Sequence, residues 1–320
     1  MTQFFSLSSK TIWLLIFLPI GSLFCLSISQ VTLGDVYSTL IGPRRLTLLM
    51  NSISIALASA LVSVVIGTFT AFTLVKIRCF GGSLYRYLII LPFLVPSYLQ
   101  AVVWTRLWID FGLEDYLGFK IQSATGAVLV HSFSMFSLVA AIVMFALSKI
   151  DKNIEDAAAF SMTRRRALWQ IVLPLLKPSL MVSFSIVFIL VLNNFEVADS
   201  LRINTYPFEI FISYSAFYNE KEGVLLSFPL IFISMLVIGF TVTTIKKHNY
   251  FGVKLGSHSI KQYSVGHYRW LFSIAVGLIL LVSFLLPFGA MFHYALPLET
   301  SKTLLISLTP CFTTLLYSAF

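Results

Sequence analysis

The stretch IEDAAAFSMTRRRALWQIVLPLLKP, residues 154–178, sets two carboxylates, three alanines, three arginines and two prolines together in a chain that is otherwise oily. Over the whole sequence 58% of residues are hydrophobic and 11% charged. Mean hydropathy is +0.91. Soluble domains carry about 25% charged residues, so this polar island is an exception that needs a reason.

On either side of it the sequence runs apolar for long enough to cross a bilayer, which takes about 20 residues as a helix. Helices are predicted over residues 11–29, 47–75, 86–108, 124–148, 178–198, 223–245 and 269–292, with an eighth beginning near 311. The runs lack the ten-residue alternation of a membrane barrel. The expected fold is therefore all-α and polytopic, with about seven complete transmembrane helices and the start of another. Lys10 and the long apolar run after it read as a retained helix rather than a cleaved leader.

Charge then orients the chain. With a cytoplasmic N-terminus, the inner segments hold fifteen basic residues against three acidic ones, Asp151, Glu155 and Asp156. The outer segments keep seven basic and ten acidic residues. Lys and Arg mark the cytoplasmic side, so the formal net charge of +9 is a topological signal and not the mark of a nucleic-acid partner. Cys25, Cys79 and Cys311 are scattered, and the five histidines show no H-x3-H spacing. A metal cage made by this chain is not expected.

Two segments echo each other. FLPIGSLF (17–24) and LLPFGAMF (285–292) share L-P-x-G-x-x-F at an offset of 268 residues, and TLLMNS (from Thr47) pairs with TLLYSA (from Thr314) at 267. Internal duplication of this kind is common in transporters. The expected organisation is a first repeat of six transmembrane helices over 1–246, with its core at about 47–246. A cytoplasmic linker over 247–268 would lead to a truncated second repeat from 269 to 320.

The polar island thus falls in the cytoplasm, between the fourth and fifth predicted spans. Asn153 is an expected N-cap, with Glu155 and Asp156 in the first turn, where the helix dipole favours them. Ala157, Ala158 and Ala159 favour helix and add almost no bulk, so another backbone can come close. A second amphipathic piece carries Arg164, Arg165, Arg166, Leu168, Ile171 and Val172. Pro174 and Pro178 are expected to break it before the next span. Topology alone would need only the arginines; the small and apolar residues among them suggest a docking surface for a cytoplasmic partner.

This pattern resembles the E-A-A-x3-G-x9-I-x-L-P loop of binding-protein-dependent ABC transporter permeases. Glu155 takes the Glu position, Ala157 the second Ala, and Ile171, Leu173 and Pro174 the I-x-L-P end. Asp156 stands where the first Ala is usual and Ser161 where the Gly is usual. LPFLVPSYLQAVVW (91–104) and RINTYPFEIFISYSAFY (202–218) are similar to segments of ferric-iron-type permeases, which are fused two-copy chains. The resemblance implies a type I ABC permease fold and residence in the bacterial inner membrane. It implies cytoplasmic ABC ATPase subunits that bind the ATP and grip the loop formed by Glu155, Asp156, Ala157, Ala158, Ser161, Arg164–Arg166, Leu168, Ile171, Leu173 and Pro174. It also implies a periplasmic or lipid-tethered solute-binding protein outside.

The chain has no G-x4-G-K-[ST] phosphate loop and no G-x-S-x-G, so neither its own ATPase nor an enzymatic role is expected. Ferric iron is the implied cargo; thiamine, a polyamine or a phosphonate would suit the same scaffold. An ion-driven secondary transporter would call for ionisable groups in mid-membrane, and a truncated remnant without transport is a third reading. Pathway candidates are Pro92 and Pro96, which either kink a lining helix or simply pack, and Asn193, Asn194 and Glu196 after the fifth predicted span. Tyr98, Trp104 and Trp108 fit interfacial anchors better than a substrate cage. Tyr206, Tyr214 and Tyr218 are read as packing or belt residues.

Overall fold

A computed structural model describes Gly34 and residues 42–150, 163–247 and 266–295. Five helices in it are long and apolar enough to span a membrane, and a bent pair makes a sixth if counted as one crossing. The predicted helices at 11–29 and from 311 lie outside the described residues.

Helix α1 (Pro43–Lys76) starts on a proline in its first turn, where the missing N–H costs nothing. One of its faces is made of small residues: Ala56, Ser59, Ala60, Ser63, Gly67, Thr70 and Ala71, all buried. Lipid tails do not drive helices together, so close backbone approach over small residues must do so. That face lies on α6 (Ala124–Ser148), whose Phe136, Val139, Ala140, Val143 and Leu147 are fully buried. The start of α6 is fixed by Ser123, an N-cap whose hydroxyl accepts the Gly126 N–H at 3.3 Å.

The stretch predicted as one helix at 86–108 is instead broken. Helices α2 (Gly82–Leu88) and α3 (Leu91–Leu94) run into α4 (Ser97–Asp110) across a 94° bend. Val95 is extended there, the conformation that a following proline, Pro96, imposes. A short helix, α5 (Leu113–Leu117), joins α4 to the segment before α6.

The fifth predicted span also differs. The prolines do not end the helix. One α turn, α7 (Arg164–Ala167), passes through a π turn (Leu168–Val172) into α8 (Leu173–Leu192), with Pro178 inside it. A proline removes one i to i−4 bond and crowds the carbonyl below it. The wider π turn just before Pro174 relieves that crowding, so the helix bends its register rather than stopping. The same device recurs before Pro287, where the π turn Leu281–Leu285 joins α12 (Arg269–Leu280) to α13 (Leu286–Ala295).

Two short helices follow α8, α9 (Glu196–Ser200) and α10 (Tyr206–Ser215), and then the long α11 (Glu220–Lys247). The ends of the helices sort by charge. At one end Arg86 donates twice to the Leu74 carbonyl, at 2.8 and 3.2 Å. Beside it Phe80 packs on Trp270 with centroids 4.3 Å apart, and its N–H donates to Ser273 Oγ at 2.9 Å. Lys149, Lys177 and Lys246 belong to the same end. At the opposite end Arg44 pairs with Glu209 at 3.1 Å, Arg45 with Glu222, and Tyr294 donates to Asp110.

Trp104 and Trp108, read as interfacial anchors, are core residues only 6% and 3% exposed. Trp104 lies against Phe133 with centroids 6.2 Å apart. Trp108 donates to the Phe119 carbonyl at 3.2 Å. Tyr98 is exposed as an anchor would be.

Candidate functional site

The candidate residues lie at the two ends of the bundle and at the break between α3 and α4. At the basic end Glu155, Asp156, Ala157, Ala158 and Ser161 lie outside the described residues. The rest of the polar island lies within them. Arg164, Arg165, Arg166 and Ala167 form the α turn, Leu168 and Ile171 lie in the π turn, and Leu173 and Pro174 begin α8. Arg166, Trp169, Gln170, Pro174 and Lys177 are exposed, whereas Val172 and Leu176 are buried in the core. Trp169 is 66% exposed. This is a helix with one face anchored and the other bare, basic and aromatic. The span continuous with it, Trp169–Leu192, is about 35 Å long at 1.5 Å per residue. Displacement of the bare end would therefore reach the far end of the bundle through one rod.

Beside this rod a groove of about 580 Å³ opens between α1, α8 and α11, lined by Val64, Phe184, Leu236 and Phe240 among others, with Lys177 on its wall. Its polar floor is Ser185 and Thr241, whose hydroxyls meet at 2.6 Å and tie α8 to α11.

Of the pathway candidates, Asn193, Asn194 and Glu196 lie at the opposite end, after α8, and Pro92 and Pro96 at the break between α3 and α4. Pro92 is buried and Pro96 forms the corner of the break. The carbonyls freed by that break are met by a residue the sequence reading did not select. Gln100 is 1% exposed, and its amide donates to Pro92 O at 2.7 Å and Val95 O at 3.4 Å. The available signal was its position four residues after Pro96, on the turn facing the break. Asn193 donates to Ile189 O at 2.8 Å, and Asn194 Oδ1 accepts the Val197 N–H at 3.0 Å. The two asparagines thus terminate α8 and begin α9. Glu196 is exposed in the first turn of α9. Asn193 lines a groove with Pro207, Phe211 and Ile231 that includes neither Pro92 nor Pro96.

Beneath α9 and α10 the interior turns polar. Ser52 of α1 donates to Leu48 O at 2.9 Å and accepts the Tyr206 N–H at 2.8 Å. Tyr206 is buried, and burial pushes its phenol up to about 12, with the nearby Arg45 guanidinium opposing. Tyr214 and Tyr218 are exposed. Among the described residues no group of three His, Cys, Asp or Glu is placed to share a metal ion.

Residues 63–255 match the profile of the family described as "Binding-protein-dependent transport system inner membrane component". In sequence the chain is similar to the Fe(3+)-transport system permease protein FbpB 2 of Haemophilus influenzae, 25% identical over 211 residues, which is 66% of this chain and 40% of that protein. The chain therefore spans about two fifths of that curated relative's length. In fold it is similar to a chain of a bacterial ABC transporter involved in the import of the acidic polysaccharide alginate. That match has a TM-score of 0.60 and 15% identity, and covers 77% of this chain and 95% of the other. A second structure of a bacterial alginate ABC transporter, in complex with an alginate pentasaccharide-bound periplasmic protein, also scores 0.60 at 15% identity, covering 76% and 93%.

Proposed function

Because the chain belongs to the family of binding-protein-dependent transport system inner membrane components, we propose that it is the membrane subunit of an ATP-driven importer with its basic end in the cytoplasm and ferric iron as its cargo. A solute-binding protein delivers cargo at the acidic end. Cytoplasmic ATPases grip the polar island, and its motion opens and closes the pathway. The N-terminus is then cytoplasmic.

One observation carries the reading. The exposed basic and aromatic face made by Arg166, Trp169 and Lys177 continues without a break into a membrane-spanning helix. A solvated loop that served only topology would not need to be rigidly joined to a span. Arg166 offers a fork to carboxylates or backbone oxygens of a partner, and Trp169 offers a large apolar anchor of the kind that dominates interfaces. Glu155, Asp156, Ala157, Ala158 and Ser161 would complete the gripped surface. Arg164, Arg165, Leu168, Ile171, Leu173 and Pro174 would set the shape of its second half. Iron as cargo is supported by the name of the Haemophilus influenzae relative.

The test is ATP-dependent uptake of radioactive ferric iron into proteoliposomes holding the complete transporter with its binding protein. Trp169→Ala is expected to reduce uptake at least tenfold while leaving the melting temperature of the complex within 2 °C of wild type, on the order of a surface substitution. Uptake at the wild-type rate in this variant, or in Glu155→Arg, would remove the coupling role. Transport of another solute with no transport of iron would replace the cargo alone.

A further inference from the structure

The polar interior beneath α9 and α10 contains a void of about 10 Å³, lined by Ser52, Ala127, His131, Val191, Asn194 and Thr205 among others. It stands where α8 ends, between α1, α6 and the turn that leads into α10. His131 is 3% exposed and Thr205 6%. Both residues line the void, and each carries a buried atom without a hydrogen-bond partner, His131 Nδ1 and Thr205 Oγ1.

The orphan on Thr205 has a local cause. Thr205 is the N-cap of α10, extended at φ −127° and ψ 162°, yet its hydroxyl makes no cap bond. A cap hydroxyl normally accepts the N–H of the second or third helical residue. Here the second is Pro207, which has no N–H. That leaves only the N–H of Phe208, the third residue, and the hydroxyl does not take it.

A buried polar atom without a partner costs as much as a lost hydrogen bond, and two such atoms on one cavity point to a shared ligand. About 10 Å³ is the least that one water requires, and a buried water needs two to four polar partners. His131 and Thr205 supply two. Ser52 and Asn194 line the same void and add further polar groups. The lining contains no carboxylate, so a bare cation would be unpaired inside the membrane, where that is most costly. A larger solute does not fit.

We infer that this void is a binding site for a single water molecule that joins His131 Nδ1 to Thr205 Oγ1 and so fastens the α9–α10 segment to α6. The inference stands on this shared lining and these two unpartnered atoms alone and is independent of the transport reading.

The test is solid-state NMR of the full chain in lipid, labelled with ¹⁵N-histidine, reading magnetisation transfer from water protons to the ring nitrogens. The His131 resonance is assigned by its loss in His131→Phe. A water cross-peak at His131 is expected in wild type and in Thr205→Ser, and is lost in Thr205→Val. It is unchanged when sodium and potassium are replaced by choline. Should Thr205→Val fail to fold, the wild-type and Thr205→Ser spectra still decide. No water cross-peak at His131 in these overturns the inference, as does a cross-peak that survives in folded Thr205→Val. A signal that depends on the alkali cation also overturns it and makes the void a cation site.

Discussion

Replacing Gly67 by alanine tests how α1 and α6 are held. A Cβ built at Gly67 would lie 2.6 Å from the Phe136 carbonyl oxygen and 2.7 Å from Val139 Cβ. Carbon normally approaches such an oxygen to about 3.3–3.6 Å, so the shortfall is roughly 0.7–1 Å. The neighbour is helix backbone and cannot rotate away, so the two helices must separate over a face that is otherwise fully buried. Overpacking of this kind costs about 1–3 kcal/mol. Alanine also favours helix over glycine by about 1 kcal/mol, which would mask part of the loss. Gly239→Ala in α11 is the matched control, because a Cβ there meets nothing within 4 Å. The propensity gain is shared by both variants, so their difference isolates the packing cost. Reversible unfolding of the detergent-solubilised chain, followed by tryptophan fluorescence, should place Gly67→Ala about 1–3 kcal/mol below Gly239→Ala. Equal stabilities, or a Gly67→Ala variant the more stable, would refute close backbone packing as the basis of this helix pair.

Gln100→Leu removes the donor that satisfies the buried Pro92 carbonyl at the break. Unfolding should show a loss of about 1–3 kcal/mol, and a variant as stable as wild type would mean that the break does not need this amide. Tyr206 gives a pH test. Its phenol titrates near 12 when folded, against 10 ordinarily, so the folded chain holds this proton the more tightly. Stability from this group is therefore complete below pH 10 and is lost as pH rises from 10 towards about 12. Melting temperatures of wild type and Tyr206→Phe should run parallel below pH 10, with wild type falling away from the variant above it. Parallel curves throughout would mean that the phenol is not buried as described.

The long apolar runs announced their own helices: residues 124–148 were read from sequence with the bounds that α6 has. Composition suffices there because a bilayer demands length and apolarity before anything else. What the sequence hid was backbone detail. Pro96 was legible as a possible kink, but a 94° break depends on Gln100 being at hand to pair the freed carbonyls. Pro174 and Pro178 looked like stops because a π turn has no residue signature; it is the local answer to a proline in a helix that packing keeps intact. Trp104 and Trp108 were read as belt residues from type and position, whereas which face of a helix is covered depends on neighbours far away in sequence. His131 and Thr205 are single polar residues in apolar or mixed runs, and only their shared cavity makes them a pair. The polar island was legible as a pattern of charge, small residues and prolines; of its second half, Arg166, Trp169, Gln170, Pro174 and Lys177 are exposed.

The proposed transport cycle requires a partner that hydrolyses ATP to grip the basic end of the rod at residues 164–177. The direct measurement is site-specific crosslinking from Arg166, replaced by a photoreactive amino acid, in cells that express the complete transporter. A crosslink to the nucleotide-hydrolysing subunit, absent when the probe is placed at Tyr116 of the opposite end, is the predicted result. Labelling of position 166 from outside the cell, or a crosslink from Tyr116 in its place, would contradict it.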